Sequence, residues 1–196
     1  ADLLQRQDRA EPYFRRGMDL FREKRAAGNP LNGDAALNAS HCMQQLAGIL
    51  SARNELEEAI RLYGDAAGLV DDLLEHQPED LMLLHNSVQD HSLEAWLLWA
   101  AGKRDESRLA VERLLDRLDD QRDRLSRDGS TEEDRSRLSS TYSTLGRIVQ
   151  SCGEMSMALR AAEAASSLQP DLPEALNDVA WVLASRAEVT PEELAK

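Results

Sequence analysis

Between Ser139 and Pro170 the chain reads SSTYSTLGRIVQSCGEMSMALRAAEAASSLQP, and two helical apolar patterns flank one glycine, Gly153. Before it, Tyr142, Leu145, Ile148 and Val149 recur at three- and four-residue steps, which places them on one face of a helix. After it, Met155, Ala158, Leu159, Ala162, Ala165 and Leu168 do the same. Gly153 supplies the positive φ that ends the first helix. Pro170 ends the second, because the residue before a proline is pushed out of the helical region. Gly146 and Ala158 are small enough to let the two antiparallel helices approach closely. A chain built on this unit is expected to be all-α.

The unit resembles a tetratricopeptide repeat. Numbered from Ser139, the eight signature places of that motif fall on Tyr142, Leu145, Gly146, Val149, Ala158, Ala162, Ala165 and Pro170. Val149 and Ala162 are smaller than the aromatics usual there. The family period of roughly 34 residues leads on to Pro173, where PEALNDVAWVLAS offers another first helix with Val179, Ala180 and Leu183 at the matching places. The resemblance implies a right-handed superhelical solenoid of antiparallel helix pairs over residues 34–196. The pairs fall at about 34–77, 79–128, 131–170 and 171–196, the last truncated, and residues 1–33 form an N-terminal helix and loop that can act as a cap. Turns are expected at Asn54, Gly102 and Gly153. Their spacings of 48 and 51 residues exceed the family period, so the middle helices are extended by roughly four turns per pair.

Two further pairs carry the pattern less evenly. Around Asn54 the motif gives Leu46, Ala47 and Leu50, then Ala59, Tyr63 and Ala66, but Asp71 stands where proline belongs and the helix is expected to run on to about Gln77. Gly64 and Gly68 lower its helical propensity, which points to close packing against a neighbour. Around Gly102, Leu81, Leu84, Val88, Ala95 and Leu98 face inward, followed by Leu109, Leu114, Leu115 and Leu118. Glu94 and Ser107 occupy places that usually hold Leu and Ala. Tyr13, Phe14, Met18 and Phe21 form an apolar stripe in the first helix, which is expected to break near Pro12. Loops are expected over GNPLNG (28–33) and near RDGSTEEDRSRL, where Ser130 and Glu133 form a capping box. Thr190, Pro191 and Glu193 mark one more helix start.

The charge is uneven. A net −13 is concentrated in residues 26–102, where two basic groups, Arg53 and Arg61, face twelve acidic ones. Such a surface repels nucleic acid and acidic membranes and favours a neutral or basic partner. Long apolar runs are lacking, so no membrane span is expected, and a cytoplasmic setting is. Cys42 and Cys152 read as small buried apolar residues with no disulfide framework.

Signs of catalysis are equally lacking. The sequence has no GxSxG, P-loop, dinucleotide or HExxH pattern, and His41, His76, His85 and His91 do not share a face, so no enzyme activity, metal or cofactor is expected. The acidic pairs Glu57–Glu58 and Asp71–Asp72 read as solvated faces. In the repeat family the inner groove is lined by first-helix residues at the second, fifth, ninth and twelfth places. The resemblance puts Trp96, Arg147 and Trp181 at ninth places, Trp99 at a twelfth and Asn177 at a fifth, with Gln44, Gln89, Ser92 and Gln150 pointing the same way. Groove tryptophans anchor bound peptides. They could equally fill core between extended helices. The lysines, Lys24, Lys103 and Lys196, avoid groove positions, so the clamp that such repeats use on chaperone carboxylates is not expected. A non-catalytic scaffold for a protein or peptide is the expectation, similar to repeat regions of larger bacterial signalling proteins, including some kinases. A self-associating homodimer module and a small-ligand sensor are the alternatives.

Overall fold

A computed structural model describes residues 2–27 and 33–185, with side chains described except at residues 2–8 and 128. The helix start at Thr190 to Glu193 and all but Gly33 of the 28–33 loop lie outside these residues. Among the described residues eight helices follow in order: α1 (Asp2–Ala26), α2 (Gly33–Ala52), α3 (Leu56–Leu74), α4 (Leu81–Ala100), α5 (Arg104–Asp128), α6 (Glu132–Ser151), α7 (Met155–Leu168) and α8 (Pro173–Ser185). No strand occurs among the described residues. The all-α class expected from periodicity is therefore observed, and α3 to α6 run 19 to 25 residues each, as the wide turn spacing requires. The α1 helix continues through Pro12 without the expected break. The α3 helix stops at Leu74, short of Gln77.

Helix ends are set by local chemistry. Asn54, Gly102 and Gly153 have φ of 64°, 81° and 78°, the left-handed region in which glycine and asparagine are least strained. Each is followed by an amide that reaches back to a carbonyl inside the preceding helix: Glu55 N to Leu50 O at 2.9 Å, Lys103 N to Leu98 O at 2.9 Å and Glu154 N to Val149 O at 3.3 Å. The turn residues' own amides close the inner ring of the same motif, which satisfies carbonyls that the helix leaves open. At the other ends, Asp80 caps α4 by accepting from Met82 N at 2.8 Å and Leu83 N at 3.0 Å. A capping box starts α6, one residue later than expected. Thr131 Oγ1 accepts from Asp134 N at 3.1 Å, and Asp134 Oδ2 accepts from Thr131 N at 3.0 Å. The overlapping Ser130–Glu133 pattern loses because Thr131 holds the extended backbone that an N-cap needs.

The helices form two compact units, the first ending at Arg104 and the second beginning at Asp105. In the first, α1 packs on α2, α2 on α3 and α3 on α4. Its core gathers Met18, Met43, Leu46, Leu50, Leu62, Tyr63, Leu69 and Leu97, with Phe14, Phe21 and Trp96 against it. Tyr13 departs from the expected stripe and is 79% exposed, since Phe14, Met18 and Phe21 already occupy the inward positions a turn apart. In the second, α6 pairs with α7, and α8 packs on both. Tyr142, Leu145, Val149, Ala158, Ala162 and Ala165 are buried as the repeat pattern predicts. Leu109 departs as well, being 48% exposed, because the buried face of α5 runs through Val111, Leu114, Leu115 and Leu118.

The two glycines of α3 have different reasons. A methyl group on Gly64 would lie 3.1 Å from Glu94 Oε1 on α4, whereas one on Gly68 would meet nothing within 4 Å. Close packing therefore explains Gly64 alone. Gly68→Ala is expected to raise stability by about 0.5–1 kcal/mol through helix propensity. Gly64→Ala is expected to gain less, because the Glu94 carboxylate must shift by a few tenths of an ångström to admit the methyl group. Urea unfolding of both variants would check the pair, and equal gains would contradict the packing of Glu94 on Gly64.

Candidate functional site

The groove candidates divide between the two units. On α4, Trp96 is half-buried and packs against the first core, and Trp99 is half-buried with the Arg104 guanidinium 5.9 Å from its ring centroid. That spacing suits a cation–π contact. Ser92, expected to point the same way, is fully buried and donates to Val88 O, which leaves no surface on it. Gln44 is turned inward too, donating to Asp90 Oδ2 at 3.0 Å.

The remaining four candidates lie on α6 and α8. Arg147 and Gln150 stand one turn apart on α6, and Asn177 and Trp181 one turn apart on α8. Arg147 and Asn177 are exposed, and Trp181 is 64% exposed. Gln150 Nε2 donates to Ser185 Oγ at 3.4 Å, and that hydroxyl donates to Trp181 O at 2.8 Å. The amide of Gln150 is thus held against the same helix that presents the indole. This face can lay an apolar side chain on the indole and bond a peptide backbone through two carboxamides.

A second polar constellation, centred on α4, was not expected from the sequence. Asp90 is 0% exposed. Its Oδ2 accepts from Gln44 Nε2 and, at 3.4 Å, from Ser40 Oγ, both on α2, while Oδ1 has no hydrogen-bond partner. Burial pushes its carboxyl up to about 6, against the opposing pull of Gln44 and Ser40. The next residue, His91, donates from Nε2 to Asp71 Oδ2 on α3 at 3.0 Å and from Nδ1 to Glu94 Oε2 at 3.0 Å. Burial disfavours its charge, but the two carboxylates outweigh that and raise it to about 9. Ser87 Oγ donates to Asp71 Oδ1 at 2.6 Å. Asp71 is therefore no solvated acid of the kind expected of Asp71–Asp72. The signal was present, since Asp71 and Glu94 are two of the places where the chain departs from the repeat pattern. A polar group at an apolar place in a repeat is a reason to look for its buried partner.

Among the described residues, no group of three or more His, Cys, Asp or Glu side chains is arranged to hold a metal ion, and no helix is long and apolar enough to cross a membrane. Cys42 and Cys152 are free, and burial raises both thiols above their ordinary range, which keeps them protonated. No protein-family model matches the chain, and no curated protein matches it.

Proposed function

We propose that the chain is a non-catalytic, tetratricopeptide-like interaction domain that holds a protein or peptide partner on the face formed by α6 and α8. The single observation that carries this reading is Trp181, a large indole left 64% exposed beside an amide that α6 holds in place. Tryptophan and arginine are over-represented among residues that dominate interface energetics, because each covers much apolar area and also offers hydrogen-bond donors. Arg147, Gln150, Asn177 and Trp181 occupy the groove places that the repeat resemblance implies. The packing of α8 on both α6 and α7 supports the solenoid reading within this unit, since stacked antiparallel pairs bring successive first helices side by side. Right-handed superhelical stacking belongs to the same proposal, as does a role within a larger signalling protein in the cytoplasm.

Partner choice follows from charge and surface. A net −13 disfavours nucleic acid and acidic membranes, so a neutral or basic polypeptide is the proposed partner. Trp96 and Trp99 play a lesser part, because one supports the first core and the other is engaged by Arg104.

The test is selection of peptides from a random displayed library on the intact chain, followed by affinity measurement on variants. Trp181→Ala is expected to weaken a selected peptide at least tenfold, about 1.4 kcal/mol, while leaving the unfolding midpoint within a few tenths of a molar in urea. Trp96→Phe should leave the affinity unchanged. Peptides that bind Trp181→Ala as tightly as the parent would remove this face from the proposal. Sedimentation alongside distinguishes the homodimer: a concentration-dependent mass abolished by Trp181→Ala would replace the peptide with a second copy of the chain.

A further inference from the structure

We propose that the polar constellation on α4 is a proton-operated clamp, in which a proton taken up by Asp90 and one retained by His91 draw α2, α3 and α4 together, so that the first unit is held more firmly as its surroundings become more acidic. The proposal is independent of the α6/α8 face.

Geometry carries it. Asp90 is sealed from water, and only one of its two oxygens is hydrogen-bonded, so in the charged form the other must hold its share of negative charge without a partner. A carboxylate so placed costs far more than the neutral acid, which carries no net charge. Facing it from α2 are the uncharged Ser40 and Gln44, from α3 Tyr63 and Asp71, and from its own helix His91. Asp71 opposes ionisation of Asp90, and the positive charge acting on Asp90 is that of His91. His91 in turn bridges α3 and α4 with both ring nitrogens donating to carboxylates, an arrangement available only to the imidazolium. Ser87 locks the Asp71 end of the bridge. Loss of the His91 proton removes one of the two donors and leaves Asp71 and Glu94 facing each other across a neutral ring.

Both groups act in the same direction. The folded value of Asp90, about 6, lies above its ordinary 3.8, so the folded unit holds a proton that the unfolded chain has released, and this contribution is lost as pH rises toward 6. The folded value of His91, about 9, lies above its ordinary 6.5, so its contribution is complete below 6.5 and is lost as pH rises through 9. Each leg corresponds to a change on the order of a hundredfold in the folding equilibrium of the first unit.

Carbon-detected NMR titration of Asp90 in the intact, unmodified chain is the direct test, with hydrogen exchange of α4 amides, corrected for intrinsic rates, as the readout of clamping. A carboxyl midpoint near 6 is expected, with protection factors in α4 falling on the order of a hundredfold between pH 6.5 and 9. In Asp90→Asn the change between pH 4 and 6 should vanish while the upper leg remains. In His91→Gln the upper leg should vanish. An Asp90 midpoint below 4 overturns the proposal, as does an α4 protection profile that is flat above pH 6.5 in the unmodified chain. Because both of these results come from the parent chain, they stand even where a substitution fails to fold.

Discussion

Tyr142→Ala is expected to cost the second unit about 4 kcal/mol, the range for removing a large buried aromatic side chain. Tyr142 is 0% exposed and sits at the place where the repeat pattern calls for its largest residue. Its hydroxyl donates to Asp119 Oδ1 at 2.7 Å, and Arg160 donates to Asp119 Oδ2 and, at 3.0 Å, to Asp116. One carboxylate on α5 thus ties α6 and α7 together, with Arg122 adding a further ion pair at 3.0 Å. Alanine at position 142 opens a cavity and also strips Asp119 of one of its donors. Tyr142→Phe keeps the volume and loses the single hydrogen bond, so it should cost only about 1–2 kcal/mol. Urea unfolding monitored on α6 and α7 amides would separate the two losses. An alanine variant within 1 kcal/mol of the parent would mean that the core about Tyr142 is not packed as described.

The same network has a pH signature opposite to that of the first unit. Burial alone would raise the Asp119 carboxyl, but the hydrogen bonds from Tyr142 and Arg160 and the charges of Arg122 and Arg160 bring it below the ordinary carboxylate range. A folded value below the unfolded one contributes stability that is present above about pH 4 and lost as pH falls through the lowered value. Acid therefore weakens the second unit in a window below the one in which it strengthens the first. Burial and Asp119 also push the Tyr142 phenol above its ordinary range, so the hydroxyl remains a donor throughout.

Gly146→Leu is expected to cost about 3 kcal/mol, at the upper end for forcing extra methylenes into a packed interface. A methyl group at Gly146 would already lie 3.3 Å from Ala161 Cβ, 3.6 Å from Ala158 O and 3.9 Å from Ala162 N. None of these atoms lies at the end of a flexible side chain, so the larger residue is accommodated only by separating α6 from α7. Gly146→Ala should be nearly neutral, since the slight crowding is offset by a helix-propensity gain of about 1 kcal/mol. The comparison is again an unfolding midpoint, read for both variants under one set of conditions. A leucine variant as stable as the parent would show that the helices do not approach as closely as the glycine allows.

Much of this architecture was legible in the chain because its determinants are local. Asn54, Gly102 and Gly153 mark helix ends through φ preference, which depends on one residue, and the motifs that follow them depend on about six. The inward stripes of α3 and, apart from the half-buried Ile148, α6 were legible because a 3.6-residue period is written in consecutive positions. On α7, Met155, Leu159 and Leu168 of the expected stripe are only half-buried, and Met157, Ala161 and Ala164 are buried instead. The misreadings were also local in origin. Ser130–Glu133 and Thr131–Asp134 are equivalent capping boxes on paper, and only the backbone at Thr131 separates them. Tyr13 and Leu109 are apolar residues beside stripes that had no room for them.

The sequence by itself therefore determined the helices and their turns, since these follow from propensity and single special residues. Burial itself was decided only in three dimensions. The repeat resemblance gives Trp96 and Trp181 the same place, yet the first lies against a core and the second is open, because exposure depends on what neighbouring helices deliver to that position. Asp90 and His91 are the stronger case. Their partners come from positions 40, 44, 71 and 94 on three helices, and no local pattern records that these side chains meet.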